Sequence, residues 1–221
     1  MTVMLENAAG FLREKIFSTK DIERPGADLS DVDQFGVESS HISQEWIQTS
    51  DGGKIGAWYM EPQGAKGVKL NKAILQLHGV KGTRARKYRV ELYNVLLKMG
   101  FSILAFDYRG FGDSTEISPT ESSMVSDSVD AYDWLRKKVG AVTEIVVFGH
   151  SMGCAVSTHT VSQLIKRGEA IKHLILMAPF NNFYDVVLAT LSEYKFLVVT
   201  SSLTRGYFLK NKLKYLDTEF R

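Results

Sequence analysis

The stretch Thr143–Cys154, TEIVVFGHSMGC, constrains this chain more than any other. Ile145, Val146, Val147 and Phe148 form an apolar, β-branched run closed by glycine, the pattern of a buried strand. Gly149-His150-Ser151-Met152-Gly153 follows. It fits G-x-S-x-G, in which a serine sits on a strained turn between a strand and a helix. Side chains at positions 149 and 153 would collide with the neighbouring strand and helix, so the turn needs glycine there. Such a turn lifts the Ser151 hydroxyl clear of the backbone. It also sets that hydroxyl at a helix N-terminus, where N–H groups favour developing negative charge. The competing reading is a glycine-rich βα turn with no chemistry.

The remaining segments supply a scaffold for this turn. Ser43–Thr49 and Ile55–Met60 read as a hairpin around Ser50-Asp51-Gly52-Gly53. KAILQL, Lys72–Leu77, is a strand that runs into His78-Gly79. Arg84–Met99 has Val90, Tyr93, Leu96 and Leu97 at helical spacing and is closed by Gly100. Phe101–Phe106 is the next strand, followed by a glycine-punctuated loop, Asp107–Ser114. Ser118-Pro119-Thr120-Glu121 holds the ingredients of a helix start with Ser118 as the cap, and that helix runs to about Val139. A helix from Met152 to about Arg167 and a strand over Ile171–Met177 follow. The alternation of strands with crossover helices predicts an α/β fold with a mainly parallel sheet covered on both faces. Residues 1–40 are expected to be an extension, with an amphipathic helix over Met1–Lys20 that packs on the domain or lies against a membrane surface.

Length and charge narrow the function classes. The 221 residues suffice for one sizeable core. A net charge of +2 demands no nucleic-acid partner. Cys154 is the single cysteine, so neither an intrachain disulfide nor a cysteine zinc site can form. Its expected role is that of a small buried helix residue. No P-loop, dinucleotide fingerprint or paired His/Asp metal cluster is present, and neither metal nor cofactor is expected. No signal-peptide pattern opens the chain, and no run reaches the ~18 apolar residues of a spanning helix.

A serine hydroxyl becomes a useful nucleophile only when a base takes its proton and donors receive the oxyanion. Two N–H groups are candidate oxyanion donors. One is that of Met152, and the other lies in the loop after LQLHG, at Gly79 or Val80. The base is harder to find. His78 and His150 read as turn-holding residues. His159 lies two turns into the helix after Ser151, and His173 stands at the wrong end of its strand. Asp185, Asp217 and Glu219 are remote candidates for an orienting acid. Asp107, Arg109 and Asp113 are expected to hold their loop by ion pairing. Lys81, Arg84, Arg86, Lys87 and Arg89 form a basic run that reads either as a solvated face or, through Arg84 and Arg86, as a contact for an anionic lipid headgroup.

The stretches LQLHGVKGTRARKYRVELYNVLLKMGF, LAFDYRGFGDS, YDWLRKK, VVFGHSMGCAV and HLILMAPFNN together resemble the α/β-hydrolases. They are most similar to the lysophosphatidylserine and monoacylglycerol lipases of the α/β-hydrolase-domain family. The resemblance implies an α/β-hydrolase three-layer sandwich over residues 41–221, with a lid-like region at 182–214. It implies Ser151 as nucleophile, with Met152 and Val80 as oxyanion donors. The substrate implied is a lipid ester at the membrane of the endoplasmic reticulum; with no spanning helix in the sequence, peripheral contact is expected, or a cytoplasmic place if the chain stands alone. The same resemblance puts an acid and a histidine on two final strands. Neither strand is found in this chain, which leaves a truncated or inactive hydrolase as one alternative and a thioesterase or peptidase as another.

Overall fold

The computed structural model describes residues 27–62 and 70–180, and all of these except Pro179 and Phe180 lie in one compact unit, Ser18–Ala178. The unit contains β1 (His41–Gln48), β2 (Lys54–Glu61), β3 (Lys72–Leu77), α1 (Lys87–Lys98), β4 (Ser102–Phe106), α2 (Glu121–Val139), β5 (Glu144–His150), α3 (Met152–Lys166) and β6 (His173–Met177). The expected helix over Met1–Lys20 and the lid-like region at 182–214 lie outside the described residues.

Among the described residues the strands form one six-stranded sheet in the order β1-β2-β4-β3-β5-β6. The β1–β2 hairpin is antiparallel, and β2 joins β4 antiparallel. β4, β3, β5 and β6 run parallel. The chain enters this parallel part in the middle, at β3. The crossover through α1 carries it to β4 on one side, and the crossover through α2 returns it to β5 on the other. Loops that leave the carboxyl ends of β3 and β5 therefore diverge, and a crevice opens at such a switch point. Leu77 of β3 is aligned with Gly149 of β5, so His78-Gly79 and His150-Ser151 leave the sheet side by side.

Alternation along the strands divides the core between two faces. Trp58, Ile74, Ile103, Ala105, Val146 and Phe148 cluster with Val90, Tyr93, Leu96 and Leu97 of α1. Residues of the opposite parity, including Leu75, Leu104 and Val147, are also fully buried. On that second face α2 and α3 pack against each other and against β3, and Tyr59 meets Trp134 of α2 edge-on, with ring centroids 5.9 Å apart. Burying each Leu, Val or Ile side chain contributes about 1.5–3 kcal/mol, so β2, β3, β4 and β5 are held by burial on both faces.

Two local readings change. The helix expected to be capped by Ser118 is capped by Thr120 instead. Thr120 Oγ1 accepts the Ser123 N–H at 3.1 Å, and Ser123 Oγ accepts the Thr120 N–H at 2.9 Å. This reciprocal box satisfies two otherwise orphaned donors, and Pro119 falls just before it. Residues 27–40, expected to belong to the N-terminal extension, contribute to the core. Leu29 is buried, its carbonyl accepts the Trp58 indole N–H at 2.9 Å, and Phe35 packs on the Trp58 ring.

Candidate active site

Ser151 has φ 53° and ψ −121°, a backbone conformation that costs a residue with a side chain about 1–3 kcal/mol and persists only where the surroundings over-determine it. The surroundings do so here. The Ser151 N–H donates to the Met177 carbonyl at 2.9 Å, and the Ser151 carbonyl accepts the Cys154 N–H at 2.8 Å. A Cβ on Gly153 would overlap the Leu77 and His78 carbonyls, and one on Gly149 would overlap Ser157 Oγ and the Gly153 carbonyl. The two glycines let α3 start in contact with the ends of β3 and β5. Cys154 fills the first turn of α3, buried, with Sγ 3.3 Å from the Gly149 and Met177 carbonyls. Burial pushes its thiol pKa up, against thiolate chemistry.

The loop after β3 passes directly beside this turn. A Cβ on Gly79 would stand 3.2 Å from Ser151 Cβ and 3.3 Å from the His150 carbonyl. The peptide between Gly79 and Val80 is thus a close neighbour of the serine side chain, while Met152 opens α3 on the other side. Neither the Val80 nor the Met152 N–H has an acceptor among the described residues.

Comparison with known proteins identifies the family. The family model described as serine aminopeptidase, S33 matches residues 69–214. The chain is an α/β-hydrolase. Lysophosphatidylserine lipase ABHD12 of Danio rerio is 38% identical over 160 residues, covering 66% of this chain and 41% of that protein. Protein ABHD12B of Homo sapiens is 32% identical over 170 residues, covering 71% of this chain and 46% of that protein. The hydrolase therefore spans less than half the length of these curated relatives. Among solved structures, an α/β hydrolase from Vibrio vulnificus superimposes with a TM-score of 0.69 at 21% identity, covering 91% of this chain and 66% of that one. An esterase from Pyrococcus furiosus does so with a TM-score of 0.60 at 21% identity, covering 88% and 66%.

Two arginines of the basic run, Arg84 and Arg89, serve neither expected role. Arg84 is fully buried. Its Nη1 lies 2.6 Å from Asp107 Oδ2 and 2.7 Å from Asp113 Oδ1, and its Nη2 donates to Gln44 Oε1 and Asp113 Oδ2 at 2.9 and 2.8 Å. With its terminal nitrogens committed to these partners, Arg84 cannot meet a headgroup, and that expectation is corrected. Burial is the largest influence on the Asp107 carboxyl and raises it, but the Arg84 charge, His78 and the Arg84 backbone N–H together hold it below the usual carboxylate range. Asp107 and Asp113 thus hold their loop by ion pairing, as the sequence predicts. So does Arg109, whose Nε lies 2.6 Å from Asp127 Oδ1 and whose Nη1 lies 2.6 Å from Asp51 Oδ2. Arg86 is half-buried at the start of α1, with its guanidinium carbon 5.8 Å from the Tyr88 ring centroid.

Arg89 is the residue that the sequence reading missed most clearly. It is buried in the first turn of α1. Its guanidinium donates to the carbonyls of Thr83, Lys81 and Gly79 at 2.5, 2.7 and 3.2 Å. A signal was present in the sequence: Arg89, Tyr93 and Leu97 stand at i, i+4 and i+8 on the apolar stripe, and a charge on that stripe must be paired.

The histidines lie where the sequence places them. His159 Nδ1 pairs with Glu121 at 2.7 Å on the outer surface. His173 Nε2 sits 3.3 Å from Glu144, at the start of β6 and β5, a strand length from Ser151. The buried His78 ring donates from Nδ1 to the Gly79 carbonyl at 2.7 Å. Burial, then the Arg89 charge, push both His78 and His150 below the ordinary imidazole value. No described histidine is hydrogen-bonded to Ser151 Oγ. Asp185, Asp217 and Glu219 lie outside the described residues. Among the described residues, no cluster of His, Cys, Asp and Glu is placed to hold a metal ion, and no helix is long and apolar enough to cross a membrane.

Proposed function

We propose that the chain is a serine hydrolase of lipid esters that works through an acyl-enzyme on Ser151. The strained Ser151 backbone, fixed between two glycines beside the Gly79–Val80 peptide, carries this reading. In the reaction, Ser151 Oγ attacks the ester carbonyl carbon. The carbonyl oxygen becomes an oxyanion that accepts the Val80 and Met152 N–H groups. Collapse breaks the bond to the alcohol, which leaves with a proton, and water then hydrolyses the acyl-serine. In the family the chain resembles, a histidine on a strand end after β6 takes the serine proton and an acid orients it; none of this chain's five histidines follows β6.

The identity to lysophosphatidylserine lipase ABHD12 supports a lysophospholipid as the ester, and the family resemblance adds monoacylglycerol as a second candidate. Access from a membrane surface, at the endoplasmic reticulum, is what the resemblance implies. Arg86 remains the candidate contact for an anionic headgroup. A peptidase reading has support from the description of the matching family model, and a chain that presents Ser151 without turning over has support from the lack of a described histidine at Ser151 Oγ. A substrate panel separates the three. Purified full-length chain is assayed with lysophosphatidylserine, monoacylglycerol and an aminoacyl anilide. Fatty-acid release from either lipid, abolished in Ser151→Ala, is the expected result. Anilide cleavage alone establishes the peptidase, and inertness toward all three in a folded sample contradicts catalysis.

A further inference from the structure

The loop from Gly79 to Thr83 has no regular secondary structure, yet the Gly79–Val80 peptide must keep one orientation if its N–H is to meet an oxyanion. A trans peptide is planar, and its C=O and N–H point in opposite directions. Whatever grips the Gly79 carbonyl therefore aims the Val80 N–H. Two donors grip it: His78 Nδ1 at 2.7 Å and Arg89 Nη2 at 3.2 Å. The same guanidinium also holds the Lys81 and Thr83 carbonyls, so both flanks of Val80 are fixed by one rigid group. A flexible Lys ammonium presents no such planar fork.

The sequence explains why position 89 can do this. Side chains on a helix point back toward its N-terminus. A long side chain in the first turn of α1 therefore reaches the loop that precedes the helix. A cation there opposes the helix dipole, and the three carbonyl acceptors offset that cost. The Arg89 guanidinium carbon also lies 5.3 Å from the Tyr88 ring centroid, and the Tyr88 ring meets the His150 ring of the elbow at 5.7 Å. Arg89 thus touches the loop directly and the elbow through Tyr88. Its positive charge on the Gly79 carbonyl further polarises that peptide and strengthens the Val80 N–H as a donor.

We infer that Arg89 is a positioning residue whose guanidinium clamps the Gly79, Lys81 and Thr83 carbonyls and so aims the Val80 N–H at the oxyanion formed on Ser151. The inference rests on the hydrolase reading above, and its test has one arm that needs no turnover. In the first arm, Arg89→Met and Arg89→Lys are compared with wild type for lysolipid hydrolysis, well below their unfolding temperatures. Losing one oxyanion donor outright costs about 100- to 1,000-fold in kcat. Misaiming it is expected to lower kcat of Arg89→Met by about 10- to 100-fold, with KM within about twofold and Arg89→Lys between the two. In the second arm, amide 1H–15N resonances are compared in the same proteins. Val80 and Gly79 are expected to shift while His159 on the outer face of α3 does not. Unchanged kcat, or an unmoved Val80 resonance, in folded Arg89→Met overturns the inference. Absence of wild-type turnover overturns the hydrolase reading alone, and the resonance arm still decides the role of Arg89.

Discussion

The two walls of the crevice are built from opposite materials. The elbow after β5 is made of backbone: two glycines, one serine at φ 53°, and hydrogen bonds between main-chain groups. The loop after β3 is made of charge. Arg84 is tied to Asp107 and Asp113, and Arg89 is tied to three carbonyls, with His78 beside them. The elbow is a mainly local structure that needs the close approach of β3 to α3 and one carbonyl from β6, that of Met177. The loop has no local preference of its own and takes its shape from residues far along the chain, Gln44, Asp107 and Asp113 among them. A nucleophile can be placed by a five-residue pattern, whereas the donors opposite it depend on a network that spans the domain.

This contrast can be broken or sharpened by substitution. The largest effect is expected in the loop. Arg84→Met leaves Asp107 buried without its cation and should cost about 3–5 kcal/mol, read from urea denaturation. Adding Asp107→Leu to that variant should recover part of the loss, because the unpaired charge is gone. If the double variant is no more stable than the single one, the loop is not held by charge in the way described. Next comes the elbow. Gly153→Ala drives a methyl group into the Leu77 and His78 carbonyls and is expected to cost about 1–3 kcal/mol. Ala at exposed Gly168, which has open space around it but a φ of +92°, separates backbone strain from collision.

A smaller effect concerns pH. The folded His78 resists protonation, while in the unfolded chain it titrates near 6.5. Its contribution to stability is therefore present above about pH 6.5 and is lost as pH falls. The urea midpoint of wild type should drop more between pH 7.5 and pH 5 than that of His78→Gln; parallel slopes contradict a neutral buried His78. The smallest effect is at Arg86. Arg86→Ala should change stability by less than about 0.5 kcal/mol yet weaken binding to vesicles containing phosphatidylserine. Unchanged binding removes Arg86 as a headgroup contact.

The same contrast explains what could be read from sequence. The strand over Lys72–Leu77, the elbow and the crossover order were legible because apolar runs and glycines carry local information. The start of α2 was displaced from Ser118 to Thr120 because two adjacent segments both offer capping chemistry, and only the reciprocal Thr120–Ser123 bonds decide between them. Arg84 and Arg89 were misread because a run of five cations within nine residues looks solvated, Lys81 to Arg89. The partners of Arg84 lie up to 40 residues away, where no short-range pattern announces them, whereas the signal for Arg89 was only its place on the apolar stripe of α1. Leu29 was hidden for a similar reason, since its place in the core depends on Trp58 rather than on its polar neighbours.

The central claim is that Ser151 is a nucleophile presented for acyl transfer, and covalent labelling tests it most directly. The full-length chain is treated with a fluorophosphonate, and the modified peptide is identified by mass spectrometry. A single adduct on Ser151, absent in Ser151→Ala and formed at a rate that exceeds reaction with the other serines, is the predicted result. A folded protein that stays unlabelled at Ser151 would contradict it.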